Sequence, residues 1–208
     1  MKTLVNTLAG AASRLGPKLI GAPKYKSSPV TTNTVTTQAE TLIGDILVVF
    51  VACGGTNSAS PPAGWTTLFS NVANTGVTEK LSCYYKVATV DGSTSEVFTT
   101  ALNNSMSYCF CVRDATTINS ATQLSGVSVN AVAPALTNSA RCVVLRGFAI
   151  PMSNLSKTFT GAVPAGIGMT VSLELCVAYN INVGTNIATA TCTSVSTANT
   201  VNATVAIS

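Results

Sequence analysis

At 208 residues, 47% of them apolar and only 9% charged, the chain is too apolar to stay disordered and long enough to bury one substantial core. Its net charge of +4 is uneven: Lys2, Arg14, Lys18, Lys24 and Lys26 precede the first acid, Glu40, so the opening segment is +5 and the remainder is −1. The body therefore lacks the basic stripe of a nucleic-acid-binding domain, and the absence of histidine excludes Ser-His-Asp and Cys-His catalysis and most catalytic zinc sites.

In chain order, Leu4, Leu8, Ala11, Ala12 and Leu15 recur at helical spacing, which predicts a short amphipathic helix over 3–15, stopped by Gly16-Pro17. This stretch does not read as a secretion signal, because Asn6, Thr7 and Ser13 interrupt its apolar run and Arg14 follows it. No stretch approaches the roughly 18 apolar residues of a membrane helix. Residues 16–30 carry Pro17, Pro23 and Pro29, a density that predicts extended chain without regular ladders. Residues 1–30 thus read as a basic docking arm, because charge runs of this kind are commonly interaction tails. Leu4, Leu8, Leu15, Leu19 and Ile20 are expected to fill apolar grooves of a neighbour, and Arg14, Lys18, Lys24, Tyr25 and Lys26 to complete the contact.

From Thr31 the pattern changes to strands, over 45–53, 66–70, 80–90, 96–101, 105–112, 122–132, 141–150, 169–179, 185–192 and 201–207. Gly54-Gly55, Pro61-Pro62-Ala63-Gly64, Asp91-Gly92, Asn103-Asn104, Pro164-Ala165-Gly166 and Ala198-Asn199 separate them, and Asp91-Gly92 predicts a hairpin turn. Within 80–90, Leu81, Cys83, Tyr85 and Val87 share one face, and Ser82, Tyr84, Lys86 and Ala88 the other. Val205 and Ile207 likewise alternate with Thr204 and Ala206. One of the adjacent Tyr84 and Tyr85 is expected outward, as an interface residue. Trp65 follows a proline turn and is expected to anchor a core. The fold expected for 31–208 is all-β: an antiparallel β-sandwich, jelly-roll-like, carried behind a short helix and an extended arm. No fixed-period repeat points to a propeller or solenoid.

Seven cysteines cannot all pair within one chain, and most sit in apolar runs, so they are expected to be reduced, buried thiols made in a reducing cytoplasm. Cys109 and Cys111 fall on one strand face and read as core rather than as a metal knuckle. The acids are few for a paired-carboxylate hydrolase; Asp45, Asp91, Glu96 and Asp114 lie at strand ends and turns, where they read as caps. The Gly-rich run at 54–60 lacks the lysine and following helix of a phosphate loop. No catalytic residue, cofactor or metal is expected.

Gly44 to Ala52 (GDILVVFVA), Pro61 to Thr66 (PPAGWT), Tyr84 to Ala88 (YYKVA), Phe98-Thr99, and Val112 to Ala115 (VRDA) together resemble a β-sandwich module of tailed-phage accessory virion proteins, the decoration and fibre type. Weaker similarity runs through Ala133-Pro134-Ala135-Leu136-Thr137 into the C-terminal strands. The resemblance implies a non-enzymatic structural virion protein. Its expected role is capsid decoration or cement, with the basic arm docking on the shell; the alternative is a tail or head fibre or adhesin that binds a host-surface receptor or glycan. Implied partners are the major capsid protein or a tail adaptor, and further copies of the chain, as a trimer. Membrane and nucleic acid are not expected partners. The implied location is the virion, after synthesis in the host cytoplasm. Removing residues 1–30 is expected to leave a folded domain that no longer joins particles.

Overall fold

A computed structural model describes residues 16–29, 31–55, 58–74, 79–100, 104–138, 141–151, 156–169 and 173–208, with backbone alone at 123, 127, 182 and 195–198. The predicted helix over 3–15, with Leu4, Leu8, Arg14 and Leu15, lies outside the described residues. Among those described, all regular structure is β-strand and the pairings are antiparallel. The strands are β1 (Lys18–Ser28), β2 (Thr32–Thr36), β3 (Ile46–Cys53), β4 (Ala59–Ser60), β5 (Thr66–Ala73), β6 (Lys80–Val87), β7 (Ser95–Thr100) and β8 (Ser105–Arg113). They continue with β9 (Ile118–Ala133), β10 (Leu136–Thr137), β11 (Cys142–Pro151), β12 (Lys157–Thr160), β13 (Val163–Met169), β14 (Leu173–Val183), β15 (Asn186–Ile187) and β16 (Ala190–Ile207).

The first half of the chain makes a five-stranded sheet, ordered β1-β8-β3-β6-β5, and the second half a sheet built around β11, β14 and β16, with β13 at one edge and β9 beyond β16. Alternation gives each sheet an apolar inner face, and the two faces share one core. Val48, Phe50, Leu81, Met106 and Phe110 of the first sheet pack against Leu145, Leu175, Val177, Val201 and Val205 of the second. The other face of the first sheet is also covered. The small sheet β2-β7-β4 brings Val35, Phe98 and Ala59 onto Leu47, Val49, Val51 and Tyr84. Burial on both faces explains why β3 is an unbroken apolar run rather than an alternating one.

Bare backbone lets aromatic rings bridge the two sheets. A Cβ on Gly147 of β11 would stand 2.7 Å from Phe50 Cδ1, and one on Gly166 of β13 would stand 2.5 Å from the Tyr108 hydroxyl. The Tyr25 ring occupies the corresponding space over Gly168. β1 of one sheet is thereby fastened to β13 of the other.

The sequence-based expectations for the arm need correcting. Residues 18–28 are not a ladder-free strap: they form β1, paired with β8 from Lys18↔Arg113 to Ser28↔Ser105. Proline is compatible with this ladder because β1 is an edge strand and its register jumps between Ile20 and Lys24. Pro23 sits in that bulge, and Gly21 opens it with a φ of +62°. The strand belongs to the body, so the boundary at residue 30 moves toward the N-terminus. Deleting residues 1–30 would strip an edge strand and uncover β8.

Three local expectations also change. Asp91-Gly92 turns the chain, with Gly92 at φ +82°, but it joins no hairpin, because β6 pairs with β3 and β5 whereas β7 pairs with β2 and β4. The break expected at Ala198-Asn199 is a pair of register shifts inside the long β16, and Pro164-Ala165-Gly166 is a bulge within the edge strand β13. Neither tyrosine of the Tyr84–Tyr85 pair points outward. Tyr84 is buried under the small sheet, and Tyr85 packs against the core between the large sheets.

The thiols and the tryptophan lie where expected. All seven cysteines are free and buried. Trp65 is 8% exposed and packs edge-on against Phe98 at 5.2 Å between centroids, its Nε1–H donating to Glu96 Oε2 at 3.2 Å.

Candidate interaction surface

Two neighbouring regions of the surface combine exposed apolar and charged groups in fixed positions: the outer side of β1, and the end of the sheets where β8 finishes and β3 begins.

On β1 the strand period separates the predicted contact residues. Leu19 packs on the core between the large sheets, and Ile20 packs under the small sheet, so both fill this chain's own interior rather than a neighbour's groove. The reason is that adjacent residues on a strand face opposite ways, and both faces of this sheet are covered. Lys18, Lys24 and Lys26 are exposed. Lys18 pairs with Asp114 at 3.0 Å. Every Asp and Glu of the chain lies among the described residues, yet none is within ion-pair distance of Lys24 or Lys26. Tyr25 is 43% exposed; its ring lies 5.0 Å from that of Tyr108, and its hydroxyl donates to the Met169 carbonyl at 3.5 Å. The structure thus groups Lys18, Lys24, Tyr25 and Lys26 on the edge strand β1, whose outer side pairs with no strand among the described residues.

At the end of the sheets a buried carboxylate shapes a loop. Asp45 Oδ2 accepts the Leu42 N–H at 2.8 Å and Arg113 Nη2 at 2.9 Å, while Asp45 Oδ1 accepts Arg113 Nε at 2.9 Å. Arg113 Nη2 also donates to the Glu40 carbonyl at 2.7 Å. From the next turn, Asp91 Oδ1 accepts the Ile43 N–H at 2.8 Å. With its backbone donors satisfied in this way, the loop holds two apolar side chains in solvent: Leu42 is 46% and Ile43 65% exposed. Val90, next to Asp91, is also exposed, and at the start of β1 a groove of about 430 Å³ runs between Pro17, Leu19, Tyr179 and the exposed Ile181. Preformed backbone geometry of this sort lowers the ordering cost of binding.

Sequence reasoning missed Leu42 and Ile43. Their signal was present in TLIGD, where an apolar pair sits directly before a Gly-Asp turn and outside any strand period.

Burial pushes the Asp45 carboxyl up, but the bonds from Arg113 and Leu42 outweigh it and hold the group below its ordinary value of 3.8. The unfolded chain therefore takes up the proton first. The stability Asp45 contributes is complete above pH 3.8 and is lost as pH falls further, through the folded value. Asp45→Asn should cost about 1–3 kcal/mol at neutral pH. It should also flatten the acid side of the stability profile, read by urea unfolding at neutral pH and near pH ~3.

Several reactive side chains are committed to structure. Burial raises the thiols of Cys53 and Cys111 to about 12. Glu96 joins Trp65 and Lys86, Asp114 joins Lys18, and Glu174 joins Lys157 at 2.7 Å. No group of three or more metal-ligating side chains occurs among the described residues.

Comparison with known proteins found no matching family, no matching curated protein and no matching solved structure.

Proposed function

We propose that the chain is a non-enzymatic structural protein of a phage particle, most simply a capsid decoration or cement protein. Its body is read as a jelly-roll-like β-sandwich, on the ground that two antiparallel sheets share one core. The observation that carries the docking reading is the edge of β1, which pairs with no strand other than β8 among the described residues. An unpaired strand edge offers a row of backbone donors and acceptors to another chain, and Lys24 and Lys26 stand exposed along it without an acidic partner of their own. An extended, acidic segment of a shell protein matches that edge in hydrogen bonding and in charge. The carboxylates tied into ion pairs and loop clamps, and the low overall charge, support a part that works by packing rather than by chemistry.

A fibre or adhesin role is the second reading, and the rigid Leu42–Ile43 loop favours it, because a fixed apolar tip suits receptor contact. Copy number separates the two. A decoration protein accompanies the shell protein in fixed proportion, whereas a fibre is present in few copies. The test is quantitative mass spectrometry of purified particles carrying the wild-type chain or Lys24→Glu/Lys26→Glu. Under the decoration reading the wild type is stoichiometric with the shell and the charge-reversed chain is folded but depleted from particles.

A further inference from the structure

The second large sheet buries two cations on its outer face, and it treats them differently. The Lys157 side chain is 1% exposed and meets Glu174 Oε2 at 2.7 Å. Arg146 is 2% exposed, at the centre of β11, with Ala178 of β14 and Thr204 of β16 as its register neighbours. Its Nη2 donates to the Ala188 carbonyl at 2.9 Å and its Nη1 to Asn180 Oδ1. Both acceptors are neutral, and Nε has no hydrogen-bond partner. All seven carboxylates are among the described residues, and none lies within ion-pair distance of this guanidinium. A cation removed from water without a counter-charge costs several kcal/mol. Burial accordingly holds Arg146 below the ordinary arginine range.

We infer that Arg146 is the floor of an anion site, and that its ligand is a small oxyanion, a carboxylate or a phosphate, admitted beside β10 and β15. The cover there is thin. β10 and β15 pair through two residues each, Leu136↔Ile187 and Thr137↔Asn186. Ala188, whose carbonyl takes the Nη2 bond, also lines a groove of about 310 Å³ with Leu136, Thr137 and Asn186. An oxyanion at Nε supplies both the missing acceptor and the missing negative charge, as a charge-assisted hydrogen bond. A buried water is the competing occupant. It could join Nε–H to Asn202 Oδ1, another buried polar atom without a hydrogen-bond partner among the described residues, but it would bring no charge.

The test uses the full chain labelled with ¹⁵N-arginine. The Arg146 Nε–Hε resonance is assigned by its loss in Arg146→Lys or, if that variant fails to fold, by substituting the other three arginines in turn. Sodium acetate and inorganic phosphate are titrated separately against sodium chloride at matched ionic strength. The site predicts a saturable shift of this one resonance with acetate, phosphate or both, and a rise in the wild-type melting temperature that Arg146→Met does not share. Saturation by acetate alone assigns a carboxylate ligand, and by phosphate alone a phosphate. A resonance that does not move, or moves no more than in chloride, overturns the proposal and leaves a water-bridged structural arginine.

Discussion

Glu174→Ala is expected to lower the free energy of unfolding by about 3–5 kcal/mol, because it strands a buried ammonium. The Lys157–Glu174 pair is inside the protein at both ends, with side chains 1% and 0% exposed. Removing one member leaves the other desolvated without its counter-charge. Lys157→Ala should be comparably damaging for the mirror-image reason. The double replacement Lys157→Met/Glu174→Leu should be far milder than the two single costs added, since it removes both charges and keeps the volume. Equilibrium unfolding in urea reads all four proteins. Additive costs would show that the two residues act independently. The pair also has a positional meaning. Lys157 lies on β12, which pairs with β16, and Glu174 lies on β14, so the ion pair ties a short peripheral strand to the sheet's centre.

Gly147→Val should cost about 2–3 kcal/mol by overpacking the core between the large sheets. The first added carbon would already meet Phe50 Cδ1 at 2.7 Å and Cε1 at 3.0 Å. Phe50 cannot retreat easily, because its ring is fully buried and packs edge-on against Phe110 at 6.2 Å. Phe50→Leu alone should also destabilise, by leaving a void. Combined with Gly147→Val it should recover part of the loss, because the smaller side chain frees the space the valine needs. Thermal unfolding of the two single variants and the double variant checks this. Strict additivity would mean that the two positions do not share the contact.

These sites show how far the chain could be read before its structure was known. The all-β class was legible, because alternation in 80–90 and the apolar run of β3 carry strand periodicity directly. The faces were legible too: Leu81, Cys83 and Tyr85 line the core between the large sheets, whereas Tyr84 and Ala88 lie under the small one. The fate of residues 18–28 was not. The three prolines of 16–30 and an excess of lysine describe an extended chain, but whether it pairs with its own body depends on a bulge at Gly21–Pro23 and on Tyr25 finding bare backbone at Gly168, more than 140 residues away in sequence. Long-range close approaches of this kind leave no local signal. The third layer was equally hidden, since short strands such as β4 and β2 carry too few residues to show a period. Asp45 looked like a strand-end cap; its joint clamp with Arg113 on the 41–45 loop emerges only when β3 and β8 lie side by side.

In the proposed role the chain is a packed part of a larger particle, held through the β1 edge. Counting it against the shell protein in purified particles tests that most directly. The prediction is a fixed, stoichiometric ratio for the wild type and a marked loss for Lys24→Glu/Lys26→Glu, with circular dichroism of the variant unchanged. A wild-type chain missing from washed particles, or a charge-reversed chain incorporated as well as the wild type, would contradict it.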